Sequence, residues 1–234
     1  MSVLNPSTYL DLVQRSIMDC QVAGDGPTTT VATSGQNQDF CNWVNAAWIE
    51  IQSKYTDWAF LMVSPGVAFA TVAGQAFYTP TQAGVTAGVV SSWRRHTFRN
   101  YQTSVGQSSE TFMEYIPWDQ WRDGYQFGAL RTAQVRPYVY TIDPNLRLGI
   151  QTPLAGYTIT GDYYAAPIAL SADADIPAIP SQYIMAIVYR TMMFYGAIES
   201  APEVYSTGEK EFNKLMGRLE KTRLPEVLGP GALA

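Results

Sequence analysis

His96 is the only histidine in the chain, so any Ser-His-Asp or Cys-His relay would have to pass through it. Its neighbours Arg94, Arg95 and Arg99 disfavour a charged imidazole, and spacing points to no partnered nucleophile. Cys20 and Cys41 each fall inside a helical pattern, which reads as two buried free thiols rather than a disulfide framework. Two distant cysteines and one histidine cannot assemble a structural zinc set. Asp173 and Asp175 have the two-residue carboxylate spacing that opens a calcium loop, but Pro177 and Pro180 stand where later ligands are required. Carboxylates in such a turn are expected to cap backbone. No phosphate-cradling glycine loop, dinucleotide fingerprint, nucleophile elbow or paired-histidine zinc motif occurs. These residues predict no catalytic, metal or cofactor-binding site.

The run Arg94, Arg95, His96, Thr97, Phe98, Arg99 is basic with an aromatic inside it, and reads either as a nucleic-acid contact or as a solvated strand. Between Val90 and Ile150 seven arginines face five carboxylates, so that stretch carries +2 and the remainder −7. The net charge of −5 argues against the whole chain being held on a polyanion by phosphate contacts. Charged residues make up only 15%, against about 25% in ordinary globular domains. Low charge beside 15 Tyr and 6 Trp describes either an aromatic-rich core or a large protein–protein contact surface.

The elements that must position these residues follow from periodicity. Ser181 to Ser200 is apolar almost throughout, broken mainly by Arg190 and Thr191, and predicts a central buried helix with Ser181 as N-cap. It is too short to span a membrane, which needs about 20 apolar residues. Leu10, Val13, Ile17 and Cys20 mark a first helix opening at Asn5-Pro6-Ser7-Thr8; Phe40, Val44, Trp48, Ile51 and Tyr55 mark a second. Tyr205, Phe212, Leu215, Met216 and Leu219 mark a last helix that Pro225 ends. Short β-type runs occupy Trp58–Val63, Val67–Val72, Gln75–Tyr78, Thr111–Ile116, Pro137–Ile142, Leu146–Ile150 and Tyr157–Ala165, with breaks at Ser64-Pro65-Gly66 and an irregular stretch over 81–92. Pro117 opens one or two helical turns. The first twenty residues show no basic start followed by an apolar core, which predicts no signal peptide and assembly in a reducing cytoplasm.

The order predicts an α+β, mainly helical fold: a four-helix bundle from the N- and C-terminal helices, carrying an inserted β-rich section, sandwich- or barrel-like. The expected boundaries are 1–58 and 166–225 for the bundle, 59–165 for the insertion and 226–234 for a C-terminal tail.

Several stretches together resemble the head-to-tail adaptor (connector or neck) proteins of tailed bacteriophages. YLDLVQRSIMDCQVAGDGPTTT followed by NWVNAAWIEIQSKYTDWAFL is similar to that family's opening, with its signature at Ile51, Gln52, Asp57 and Trp58. The second half matches at Tyr157, Gly161-Asp162-Tyr163-Tyr164, Ala172-Asp173, Ile176-Pro177, Ile179-Pro180, Tyr183, Tyr189-Arg190 and Leu224-Pro225. The likeness covers roughly residues 8–80 and 133–225.

That resemblance implies a structural virion protein of the neck, without enzymatic activity. It implies a homo-oligomeric ring, usually of twelve copies, docked beneath the portal protein, continuing the DNA channel and contacting the next neck or tail protein. The packaged DNA would be touched transiently and without sequence preference, and no membrane is involved. Portal docking is expected on Phe212, Leu215, Met216, Leu219, Leu224 and Leu228, with the tail ordering on docking. Inter-subunit or DNA-facing contacts are expected on Arg94, Arg95, Arg99, Arg122, Arg131 and Arg136. The competing reading is a glycan- or receptor-binding tail or baseplate component, with Trp93, Trp118 and Trp121 as an exposed aromatic platform.

Overall fold

A computed structural model describes residues 7–24 and 26–225; the expectations placed on Asn5, Pro6 and the 226–234 tail lie outside the described residues. The chain is α+β and divides into two compact units. One, the helical unit, combines Met1–Leu61 with Pro167–Ala234; the other, the β unit, is the continuous stretch Met62–Ala166.

In the helical unit, α1 (Tyr9–Asp19) starts where Thr8 and Asp11 form a capping box, each side chain accepting the other's backbone N–H. Helix α2 (Gln36–Ser53) follows, and its Phe40, Val44, Trp48 and Ile51 stripe is buried as its spacing predicts. Trp58 to Leu61 is not the expected strand. Trp58 and Leu61 are buried in the helical core, and a 3-10 turn, Ala59–Leu61, carries the chain out of it. Helix α4 (Met185–Ile198) is the central helix, with Ala186, Ile187 and Val188 fully buried. Ser181 opens a 3-10 turn, Ser181–Tyr183, rather than capping the helix itself, which starts four residues later. The two polar residues in α4 are both partnered: Thr191 donates to the Ile187 carbonyl, and Arg190 pairs with Glu50 of α2 at 2.9 Å.

Helix α5 (Pro202–Arg223) has proline in its first turn and packs closely against α4. The closeness depends on two glycines: a Cβ on Gly196 would sit 2.7 Å from the Tyr205 nitrogen, and one on Gly208 2.8 Å from the Tyr189 carbonyl oxygen. Together α1, α2, α4 and α5 enclose one apolar core.

The β unit holds two sheets. The first contains β1 (Met62–Ala70), β3 (Val90–Trp93), β4 (Arg99–Gln102), β5 (Thr111–Phe112) and β9 (Tyr157–Ala165), in the order β1-β9-β4-β5 with β3 also on β9. The second contains β2 (Phe77–Tyr78), β6 (Glu114–Tyr115), β7 (Val139–Ile142) and β8 (Leu148–Ile150), in the order β2-β8-β7-β6. Side chains from both sheets meet in a common core around Phe69, Tyr78, Phe98, Tyr140 and Ile159.

Strand β1 runs through Ser64-Pro65-Gly66, where a break is expected, because a register shift between Val63 and Val67 absorbs the proline. The stretch 81–92, read as irregular, ends in β3, which pairs Trp93 with Tyr163. Thr111–Ile116 is two strands rather than one. Met113 is buried between them, and there the chain passes from the first sheet to the second. The expected 137–150 hairpin and the last strand stand as antiparallel β7–β8 and β9. After β6, Pro117 leads into α3 (Trp118–Trp121), which continues as a π turn, Arg122–Gln126.

Candidate functional site

The signature residues Ile51, Gln52 and Trp58 perform structural work in the helical unit. Gln52 binds the Ile168 backbone twice at 3.1 Å, its Nε2 donating to the carbonyl and its Oε1 accepting from the N–H. Two helical turns earlier Asn45 does the same for Leu170, at 2.9 and 2.8 Å. Side-chain amides on α2 thus hold the 168–170 connector as a neighbouring strand would. Trp58 is fully buried and donates from Nε1 to the Ile51 carbonyl at 3.0 Å. The same connector is tied from the far side by Asp173, whose Oδ1 accepts from the Thr30 N–H and hydroxyl at 2.6 and 2.5 Å. Those hydrogen bonds hold its carboxyl below the usual aspartate range. Asp175 accepts from the N–H groups of Ser171 and Ala172. Both carboxylates therefore cap backbone, and among the described residues no group of three His, Cys, Asp or Glu is placed to hold a metal.

The expected docking stripe on α5 faces inward. Met216 and Leu219 are buried in the helical core, while Phe212, Leu215 and Leu224 are half-buried against it; Leu228 lies outside the described residues. What α5 offers the surface is a cleft of about 320 Å³ lined by Glu50, Ile51, Ser53, Lys54, Phe212 and Met216. The cation of Lys54 lies 2.6 Å from the Glu220 carboxylate. Cys20 and Cys41 are free and buried; burial pushes the Cys20 thiol up to about 12.

All six arginines of the basic set belong to the β unit, and five of them have internal partners. Arg94 lies 3.5 Å from Asp162, Arg122 is paired with Asp123, and Arg95 lies over the Tyr115 ring. Arg99 pairs with Glu110 at 3.0 Å while its guanidinium covers the Phe112 ring at 4.2 Å. Arg136 is the most tightly held. It donates to Asn100 Oδ1, the Ser109 carbonyl and Thr111 Oγ1 at 2.8, 2.5 and 3.0 Å, with the Tyr138 and Tyr157 rings nearby. Arg131 has no side-chain partner among the described residues and lines a cavity instead.

His96 sits at positive φ, 64°, in the turn between β3 and β4. Its N–H donates to the Tyr140 hydroxyl at 3.2 Å and its ring meets the Tyr115 ring edge-on. Burial pushes the Tyr140 hydroxyl up to about 12. Nothing in these contacts makes His96 a base for a nucleophile.

The three tryptophans of the glycan reading do not form one exposed platform. Trp93 and Trp121 are buried, and Trp93 donates its Nε1 to the Leu146 carbonyl. Trp118 stacks on Trp121 with ring centroids 5.9 Å apart. Sequence reasoning missed the cavity beside Trp121. It measures about 480 Å³ and is lined by Phe77, Tyr125, Phe127 and Arg131 among others, from segments distant in the chain.

One comparison identifies what this arrangement belongs to. A family model described as SU10 adaptor protein matches residues 7–232. No curated protein matches the chain. No helix among the described residues is long and apolar enough to cross a membrane.

Proposed function

The chain belongs to the SU10 adaptor protein family, a phage head-to-tail adaptor family, and from that premise we propose that it is the ring-forming neck subunit docked beneath the portal. The family match over nearly the whole chain carries this reading. The helical unit is the bundle and the β unit its insertion, in the layout that head-to-tail adaptors share. Twelve copies form the ring, which extends the DNA channel and presents a surface to the next neck or tail protein. The protein has no catalytic role and acts in the virion neck after assembly in the host cytoplasm.

Two features support the assignment of surfaces. The cleft on α5, with Phe212 at its wall and the 226–234 segment leaving the same helix, is the portal-docking face. The β-unit arginines that already hold internal partners are poorly suited to bind phosphates, which supports DNA sliding past that unit rather than being held by it. Native mass spectrometry of the purified protein, alone and mixed with its portal, tests the proposal. A ring, or addition of one subunit per portal subunit, is expected. A chain that stays monomeric and ignores the portal rejects it. Deleting 226–234 is expected to weaken portal binding, read by the same measurement.

A further inference from the structure

The β unit carries a cavity on one flank and an exposed aromatic on the other. Sheet topology fixes the flanks. The terminal strands β5 and β6 are joined through the single residue Met113, so those two sheet edges adjoin. The other terminal strands, β1 and β2, share the opposite flank, where Phe69 of one meets Tyr78 of the other with ring centroids 4.9 Å apart.

The cavity belongs to the β2 side. Its floor is Ala76, Phe77 and Trp121, its wall the π turn that carries Tyr125 and Gln126, and its volume about 480 Å³. Phe127 lines it and is 57% exposed, and Leu130, next to Arg131 in the chain, is 44% exposed. Arg131 borders it without a partner among the described residues. The π turn is what opens this space: directly after α3 it widens the backbone and displaces Tyr125 and Gln126 from where a regular helix would carry them.

Phe112 belongs to the β5 side. It is 64% exposed on the outermost strand, opposite Arg99 in the register. The Arg99 guanidinium over its ring and the Glu110 carboxylate beside that guanidinium hold the aromatic upright and place a negative charge next to it. Aromatic residues and arginine are both enriched in interface cores.

We propose that Phe112 of one copy inserts into the Trp121-walled cavity of the next copy, with Glu110 meeting the neighbour's Arg131. A socket and a plug on opposite flanks of one unit cannot satisfy each other within a two-fold pair. They join head to tail, and head-to-tail contacts close into a ring when the rotation between neighbours closes. The inference rests on the ring reading above and names the contact that holds the ring together. It also explains why the one unpartnered arginine of the basic set lies at the cavity.

The test uses the full chain in the presence of its portal, with assembly followed by native mass spectrometry and folding by circular dichroism. Phe112→Ala removes the plug and Ala76→Trp fills the socket. Each is expected to raise the concentration needed for ring formation at least about tenfold while leaving the fold intact. Arg131→Glu does the same from the exposed rim, and serves if Ala76→Trp disturbs the core. An equimolar mixture of the plug-less and filled-socket chains restores one contact only, and is expected to stop at heterodimers. Rings of unchanged mass and concentration dependence from these variants, or a mixture that remains monomeric, overturn the inference. A wild-type chain that forms no ring even with the portal overturns the ring reading and this contact with it, and is recognised because no substitution is then involved.

Discussion

Polar side chains do different work in the two units. In the helical unit they address backbone: Asn45 and Gln52 bind the connector, Asp173 and Asp175 cap turns, Thr8 and Asp11 start α1. In the β unit, arginines do the joining, with Arg136 tying together β4, β5 and the turn before β5 and Arg147 held at 2.6 Å on the buried Asp143. The reason is geometric. Four helices bury a continuous apolar interior and leave only loose ends to secure. Strands of two to four residues bury little each and need long side chains to bridge them.

If that contrast is right, the helical unit fails through lost apolar volume. Trp58→Ala, at a fully buried site, is expected to cost about 3–5 kcal/mol, measured by urea unfolding followed at helical circular dichroism wavelengths. The β unit instead fails through lost fork geometry. Arg136→Lys keeps the charge but loses the three-way donation, and is expected to cost about 2–3 kcal/mol, nearly as much as Arg136→Ala. A lysine variant as stable as wild type breaks the comparison.

Acid sharpens it further. Hydrogen bonds from Thr30 lower the folded-state pKa of Asp173, so its stabilisation is fully present above about 3.9, the unfolded value, and is lost as pH falls through the lowered folded value. Thr30→Val is expected to destabilise the protein near neutrality, and the difference from wild type is expected to shrink as the pH drops below that range, read as convergence of the two urea midpoints. The smallest effect belongs to the half-exposed Lys54–Glu220 pair: Lys54→Ala is expected to change stability by less than about 1 kcal/mol, and less still in high salt.

The same contrast explains what could be read from the residues alone. Spacing located α1, α2 and α5 because one apolar face repeats every three or four residues, and β9 because its alternation is clean. It misplaced Trp58, whose β-type neighbours outvote a burial decided by contact with α2. It broke β1 at Pro65, because pairing with β9 on both sides of the proline carries the strand across a local irregularity in β1. It divided neither Thr111–Ile116 into two strands nor the arginines into held and free, since both depend on residues far along the chain. On α5 it found the apolar stripe, but a stripe that faces the molecule's own core has the same spacing as one offered to a partner. The cavity beside Trp121 left no trace in spacing: four short segments meet there and none is periodic.

Strand β9 also sets a schedule. It is the last strand of the β unit to leave the ribosome, yet β1, β3 and β4 all pair with it. Likewise α1 and α2 wait for α4 and α5, whose residues enter the same core. Neither core can close on a nascent chain that stops short of Ala165 or of α5. A subunit ended within β9 therefore reaches the assembly pool with neither core closed, and one ended before α5 with its helical core still open.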